Sequence, residues 1–128
     1  MAGTKSAALR NSQADSLVAN LDSIELKDTN GNTIAEGSGI SWNAASSGSV
    51  SPSADITLTG NANAGGGTNA TDGRIYDSGA SGEEINSLNV TSTGGGGDIE
   101  LDNVSIADGQ TVTLPSGNVS ITEPASTA

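Results

Sequence analysis

The sequence predicts an all-β protein: an antiparallel β-sandwich or small barrel of about eight short strands, preceded by one short N-terminal helix. Three observations predict it. Apolar and polar residues alternate with a period of two from Ser23 to Thr122, clusters of Gly, Asn, Asp and Ser punctuate that alternation, and helical spacing occurs only before Ser23. At 128 residues the chain has room for one such domain.

The helix is expected over residues 5–20. Ala8, Leu9, Leu17, Val18 and Leu21 include the 17, 18, 21 spacing of an apolar face, while Arg10, Asn11, Gln13, Asp15 and Asn20 are polar. A lone helix of this length is marginal in water, so its stripe must dock. Docking on the protein's own sheet is the simpler expectation; docking on a neighbour makes Leu9, Leu17, Val18 and Leu21 candidate partner-binding residues.

From Ser23 the strands follow in order. Ser23–Asp28 alternates, turns at Thr29-Asn-Gly-Asn and returns as Thr33-Ile-Ala-Glu, and Asn30-Gly31 between alternating runs is a hairpin signal that asks for positive φ at both turn positions. The same pattern recurs at 55–59, 74–76, 87–91, 98–102, 103–106, 111–114 and 118–122. Between these runs, Ala44–Ser53 and Gly60–Thr71 are almost entirely small and polar, which predicts mobile, exposed loops. The chain therefore divides into an N-terminal arm with its amphipathic helix (1–22), a β-domain (23–122) and a disordered tail without an anchor (123–128).

Large aliphatics are scarce: Leu, Ile and Val together number 23 of 128, there is no Phe, and the remaining bulky side chains are Trp42, Tyr76 and Met1. A supply this thin predicts stability that leans on burial against a partner. Charge is uneven. Residues 1–27 balance Lys5, Arg10 and Lys27 against Asp15, Asp22 and Glu25, whereas residues 28–128 hold twelve acids and Arg74 alone, so the net charge of −11 belongs to the second part. Such a surface repels phosphate, making nucleic acid and anionic membrane poor partners. With neither Cys nor His, disulfides, thiol nucleophiles, the usual zinc sites and histidine bases are excluded. Asn11, Gln13 and Asp15 stand where an apolar signal core would lie, so synthesis in a cytoplasm without ordinary export is expected.

Each motif that suggests chemistry has a plainer explanation. Gly94–Gly97 lacks the following helix and the Lys of a phosphate loop and reads as a flexible hairpin connection. Asp28-Thr-Asn-Gly-Asn32 lacks calcium-loop spacing, and the hairpin accounts for it. Asp98, Glu100 and Asp102 alternate on one strand and read as a solvated face that discourages edge pairing. Sequons at Asn69, Asn89, Asn103 and Asn118 fit an Asn- and Thr-rich composition without a secretion signal. No enzyme, cofactor or metal is expected.

Several words of the sequence resemble a family. Ala8-Leu-Arg-Asn with Asp15-Ser-Leu-Val-Ala-Asn-Leu-Asp, then Gly73-Arg-Ile-Tyr-Asp-Ser, Ile99-Glu-Leu-Asp-Asn-Val-Ser-Ile and Asp108-Gly-Gln-Thr-Val-Thr-Leu, are similar to small auxiliary virion proteins, the head-decoration or cement proteins, of tailed bacteriophages. The resemblance spans most of residues 7–122 and departs from the usual pattern in the long Ser/Gly/Asn loops, so no binding residue is carried over from it. It implies a structural protein on the virion's capsid surface, with the major capsid protein as partner and a homo-oligomer, trimer favoured, as assembly state. The rival expectation is a phage tail or fibre component for host attachment, which calls for an aromatic recognition loop around Trp42 or Tyr76. A calcium-stabilised adhesin-like domain ranks third.

Overall fold

The computed structural model describes residues 3–79 and 81–124. Helix α1 (Ala7–Val18) precedes eleven strands: β1 (Ser23–Lys27), β2 (Thr33–Ser38), β3 (Ser49–Val50), β4 (Ile56–Gly60), β5 (Thr68–Asn69), β6 (Asp72–Tyr76), β7 (Glu84–Ser92), β8 (Ile99–Leu101), β9 (Ser105–Ile106), β10 (Thr111–Leu114) and β11 (Ile121–Thr122). Seven of them form one large sheet in the order β10-β4-β2-β1-β6-β7-β8. Two short pairs, β11-β3 and β5-β9, stand beside it.

That sheet is nearly closed and barrel-like. From edge strand β10 the chain makes a 3-10 turn at Ser116–Asn118 and crosses to the opposite edge, where Val119 bridges Ile99 of β8. Asn118 Nδ2 donates to the Glu100 carbonyl (3.0 Å), and Ser116 N–H donates to Asp55 at the start of β4 (3.0 Å). The crossing segment thus ties both edges and covers backbone groups that an open sheet would expose.

Closure gives the scarce aliphatics one shared interior. Period-two alternation turns Ile24 and Leu26, Ile56 and Leu58, Gly73 and Ile75, Ile99 and Leu101, and Val112 and Leu114 inward. Ala14 and Val18 of α1 and Leu21 after it join the same cluster. Of the 23 Leu, Ile and Val, 17 are buried and Ile85, Leu88, Val104 and Ile121 lean partly buried against them, leaving only Leu9 and Leu17 exposed.

Five sequence expectations need correction. At Asp28–Asn32 only Gly31 has positive φ (83°); the loop is a type I turn, with Gly31 N–H donating to the Asp28 carbonyl (3.1 Å), followed by a glycine bulge and a register shift at Leu26/Lys27. The double positive-φ turn falls instead at Ser47-Gly48 (51° and 77°), inside a segment expected to be loose. There Ser46 and Ser49 exchange two 2.9 Å backbone hydrogen bonds, β3 pairs with β11, and Val50 and Pro52 are buried. Gly60–Thr71 is likewise anchored, through buried Ala64 and Ala70 and the pairing of β5 with β9. Finally, Glu123 does not lack an anchor: its N–H donates to Gly48 O (2.8 Å) and its carbonyl accepts from Arg10. Residues 125–128 of the expected tail lie outside the described residues.

The fifth correction is topological. β7 and β8 run parallel, pairing Val90 with Ile99 and Ser92 with Leu101, so 93–98 is no hairpin. Parallel neighbours ordinarily need a connection of about a dozen residues. Glycine makes six suffice: Gly94 and Gly96 adopt φ of 87° and 82°, and a Cβ on Gly97 would lie 2.8 Å from Asn89 O. The acids hold this tight reversal. Glu100 accepts from Gly94 N–H (3.2 Å) and Gly96 N–H (3.0 Å), Asp98 from Asn89 N–H (2.9 Å) and Asp102 from Thr93 Oγ1 (3.0 Å). Asp98 and Asp102 stay exposed, as a solvated face requires, and the same acids also act as loop clamps. Gly97→Ala should therefore cost about 1–3 kcal/mol in urea unfolding, while Gly66→Ala, with nothing near its Cβ position, stays within about 0.5 kcal/mol; equal midpoints for the two variants would contradict this account of the loop.

Candidate functional site

Helix α1 and the segments around its C-terminal end form the candidate interface. Ser6 caps the helix, its Oγ accepting from Leu9 N–H (3.2 Å). The face bearing Asn11, Ala14, Asp15 and Val18 sits on the β3 region. Ala14 and Val18 are buried, Asn11 Oδ1 accepts from Gly48 N–H (2.7 Å) and Asp15 Oδ1 from Ala45 N–H (2.8 Å). Arg10 lies over Gly48 and donates through Nε (3.1 Å) and Nη2 (2.9 Å) to Glu123 O, joining the helix to the end of β11.

The four residues expected to form one partner-binding stripe are split. Val18 (2% exposed) and Leu21 (2%) belong to the core, while Leu9 (49%) and Leu17 (38%) face outward. Helical geometry explains the division. Val18 follows Ala14 by one turn and shares its inward face, and neighbouring Leu17 is rotated about 100° away. Leu21 lies beyond the helix, in the turn leading to β1, and drops into the interior.

Beside the helix end is an open cleft of about 730 Å³, lined by Asp15, Val18, Leu21, Asp22, Ile40 and Trp42 among others. Trp42 is partly buried and fixed by its Nε1–H, which donates to the Leu21 carbonyl (2.7 Å). A smaller groove of about 340 Å³ on the other side is lined by Leu17, Leu21, Glu83, Glu84 and Ile85. Sequence reasoning singled out Trp42 as an aromatic but not this cleft, because Asp15, Asp22 and Trp42 come together only when α1 packs against 40–44. Tyr76 lies elsewhere, on the outer face of β6, with the Arg74 guanidinium 4.0 Å from its ring centroid.

Every lysine and arginine is engaged inside the chain. Lys5 pairs with Glu123 (3.5 Å), Lys27 with Glu25 (3.7 Å), and Arg74 with Glu25 (3.1 Å) and Glu84 (2.7 Å), while Arg10 holds Glu123 O. The charge left to meet a partner is negative. Among the described residues no group of three or more acids is placed to hold a metal ion, and no helix is long and apolar enough to cross a membrane. No family model, curated protein or solved structure matches the chain.

Hydrogen bonds hold several acids below their ordinary pKa. Asp22 accepts from Ser78 N–H (2.9 Å) and Ser78 Oγ (2.8 Å), Asp28 from the N–H groups of Asn32 and Asn30 (2.9 Å each), and Glu84 from Arg74. These bonds favour the ionised form in the folded chain. They stabilise the fold above the unfolded carboxylate range, about 3.9–4.3, and that contribution is lost as pH falls through the lowered folded values. Relief of acid–acid repulsion works in the opposite direction, so a paired comparison isolates the bonds. Asp28→Asn should lower Tm near neutral pH and lose less Tm than wild type between about pH 4.5 and 2.5; parallel Tm profiles in calorimetry would count against the assignment.

Proposed function

We propose that this protein is a structural virion component that binds the outer surface of a phage capsid and stabilises it, with the major capsid protein as partner and a homo-oligomer, trimer favoured, as the bound form. One observation carries the reading. In a chain that buries nearly all of its aliphatics, the two exposed large hydrophobics among the described residues are both on α1. Leu9 and Leu17 are eight residues apart, about 12 Å along the helix and within about 80° of each other around it. A partner surface can cover both at once. Each side chain fully covered contributes ~1.5–3 kcal/mol.

The acidic remainder supports the same orientation, since a body without free cations is suited to facing solvent in many neighbouring copies. The resemblance of the sequence to phage decoration proteins points the same way. A second reading, a tail or fibre component that attaches to the host, draws on Trp42 at the wall of the cleft, where an aromatic could stack on a receptor group.

Point substitutions test the proposal better than deletion of the arm, because removing Ala14, Val18 and Leu21 would open the core. The double variant Leu9→Ser, Leu17→Ser should retain the wild-type circular dichroism and melting curve yet bind particles lacking the protein at least tenfold more weakly in co-sedimentation. Wild-type binding by the folded double variant would overturn the proposal.

A further inference from the structure

We infer that the cleft beside Trp42 receives a basic side chain, arginine or lysine, from the protein on which α1 docks. The inference deepens the docking reading and rests on it for the identity of the partner; the chemistry of the cleft stands on its own geometry.

The cleft is built from acceptors around an aromatic wall. Asp15 uses Oδ1 to accept from Ala45 N–H, and its Oδ2 has no hydrogen bond among the described residues. The Ser78 and Ser23 bonds favour the ionised form of Asp22 and hold its carboxylate below the ordinary range. The helix ends at Val18, in sequence between these two residues, and its last turn carries no basic residue to offset the negative end of the helix dipole. Trp42 cannot turn away, because its indole N–H is fixed on the Leu21 carbonyl. Val18, Leu21 and Ile40 form an apolar floor. An alkyl stem can lie on that floor while its charged head meets the carboxylates and the face of the indole.

Charge complementarity fixes the class of occupant. An anion would meet two carboxylates and a helix C-terminus. A neutral sugar would leave the charge of the two carboxylates unanswered. Among the described residues a second copy of this chain offers no unpaired lysine or arginine, since Lys5, Arg10, Lys27 and Arg74 are each engaged within their own chain. This favours a cation supplied by a different protein.

The test uses the whole protein and N-acetyl-argininamide as probe, with the uncharged near-isostere N-acetyl-citrullinamide and the neutral sugar maltotriose in separate arms. Emission from Trp42, the only tryptophan in the chain, and amide NMR shifts at Asp15 and Asp22 report occupancy. Saturable binding of the arginine probe is expected in the millimolar range, at least fivefold tighter than the citrulline probe, and weakened by Asp15→Asn as well as by added salt. No saturable response, an equal response to the citrulline probe, or saturation by maltotriose alone would each overturn the inference. The titration needs no capsid, and the Leu9→Ser, Leu17→Ser variant should respond to the probe like wild type. A failure here is therefore separate from a failure of the docking reading, which particle sedimentation decides.

Discussion

The constraint on which this structure depends is the shortage of large apolar side chains. Twenty-three aliphatics and no phenylalanine cannot build two packed layers with apolar surface to spare. Rolling seven strands into a nearly closed sheet lets the inward-facing residues of every strand share one interior. Closure in turn rests on a short polar segment. Ser116, Asn118 and Val119 tie β10 to β4 and β8 through Asp55, the Glu100 carbonyl and Ile99. The expectation of an under-filled core is thereby refined: the supply is small, but all except Leu9 and Leu17 lies in or against a single cluster.

Acidic side chains do much of the work that bulk would do elsewhere. Asp28 closes the β1–β2 turn, Asp22 fastens the turn after β6 at Ser78, Asp98 and Glu100 hold the glycine reversal, and Asp15 fixes the segment beneath the helix. In each case a carboxylate accepts from backbone N–H groups that would otherwise need water. The negative charge is thus built into the local structure as well as displayed on the surface. The four lysines and arginines are each engaged by an acid or carbonyl of their own chain, which leaves the unpaired surface charge negative.

How much was legible in the sequence follows from what leaves a periodic trace. The strands with alternating Ile, Leu or Val, such as 23–27, 56–60 and 111–114, were readable because inward and outward positions differ in kind. The two-residue strands at 49–50 and 68–69 are too short to show a period, and both lie in segments whose small residues suggest looseness, whereas 121–122 falls inside the alternating run at 118–122. The parallel step from β7 to β8 was hidden because four glycines look alike whether they end a hairpin or reverse a chain in six residues. Of the candidate interface, the helix and its leucines were legible, but not which of them faced out. That depends on Asn11, Ala14 and Asp15 docking on 45–48, a long-range contact that local spacing does not encode.

The central claim is that α1 is an integral part of the barrel, held by Ala14, Val18, Arg10 and Asn11, and presents only its Leu9 and Leu17 side outward. Native-state hydrogen exchange on the isolated protein tests it most directly. The account predicts that the amides of residues 11–18 are protected to within about tenfold of those in β1 and β6, because opening the helix opens the shared core. Exchange of these amides at rates near those of an unfolded chain, with the strands still protected, would show instead that the helix is a separate arm and would contradict the account.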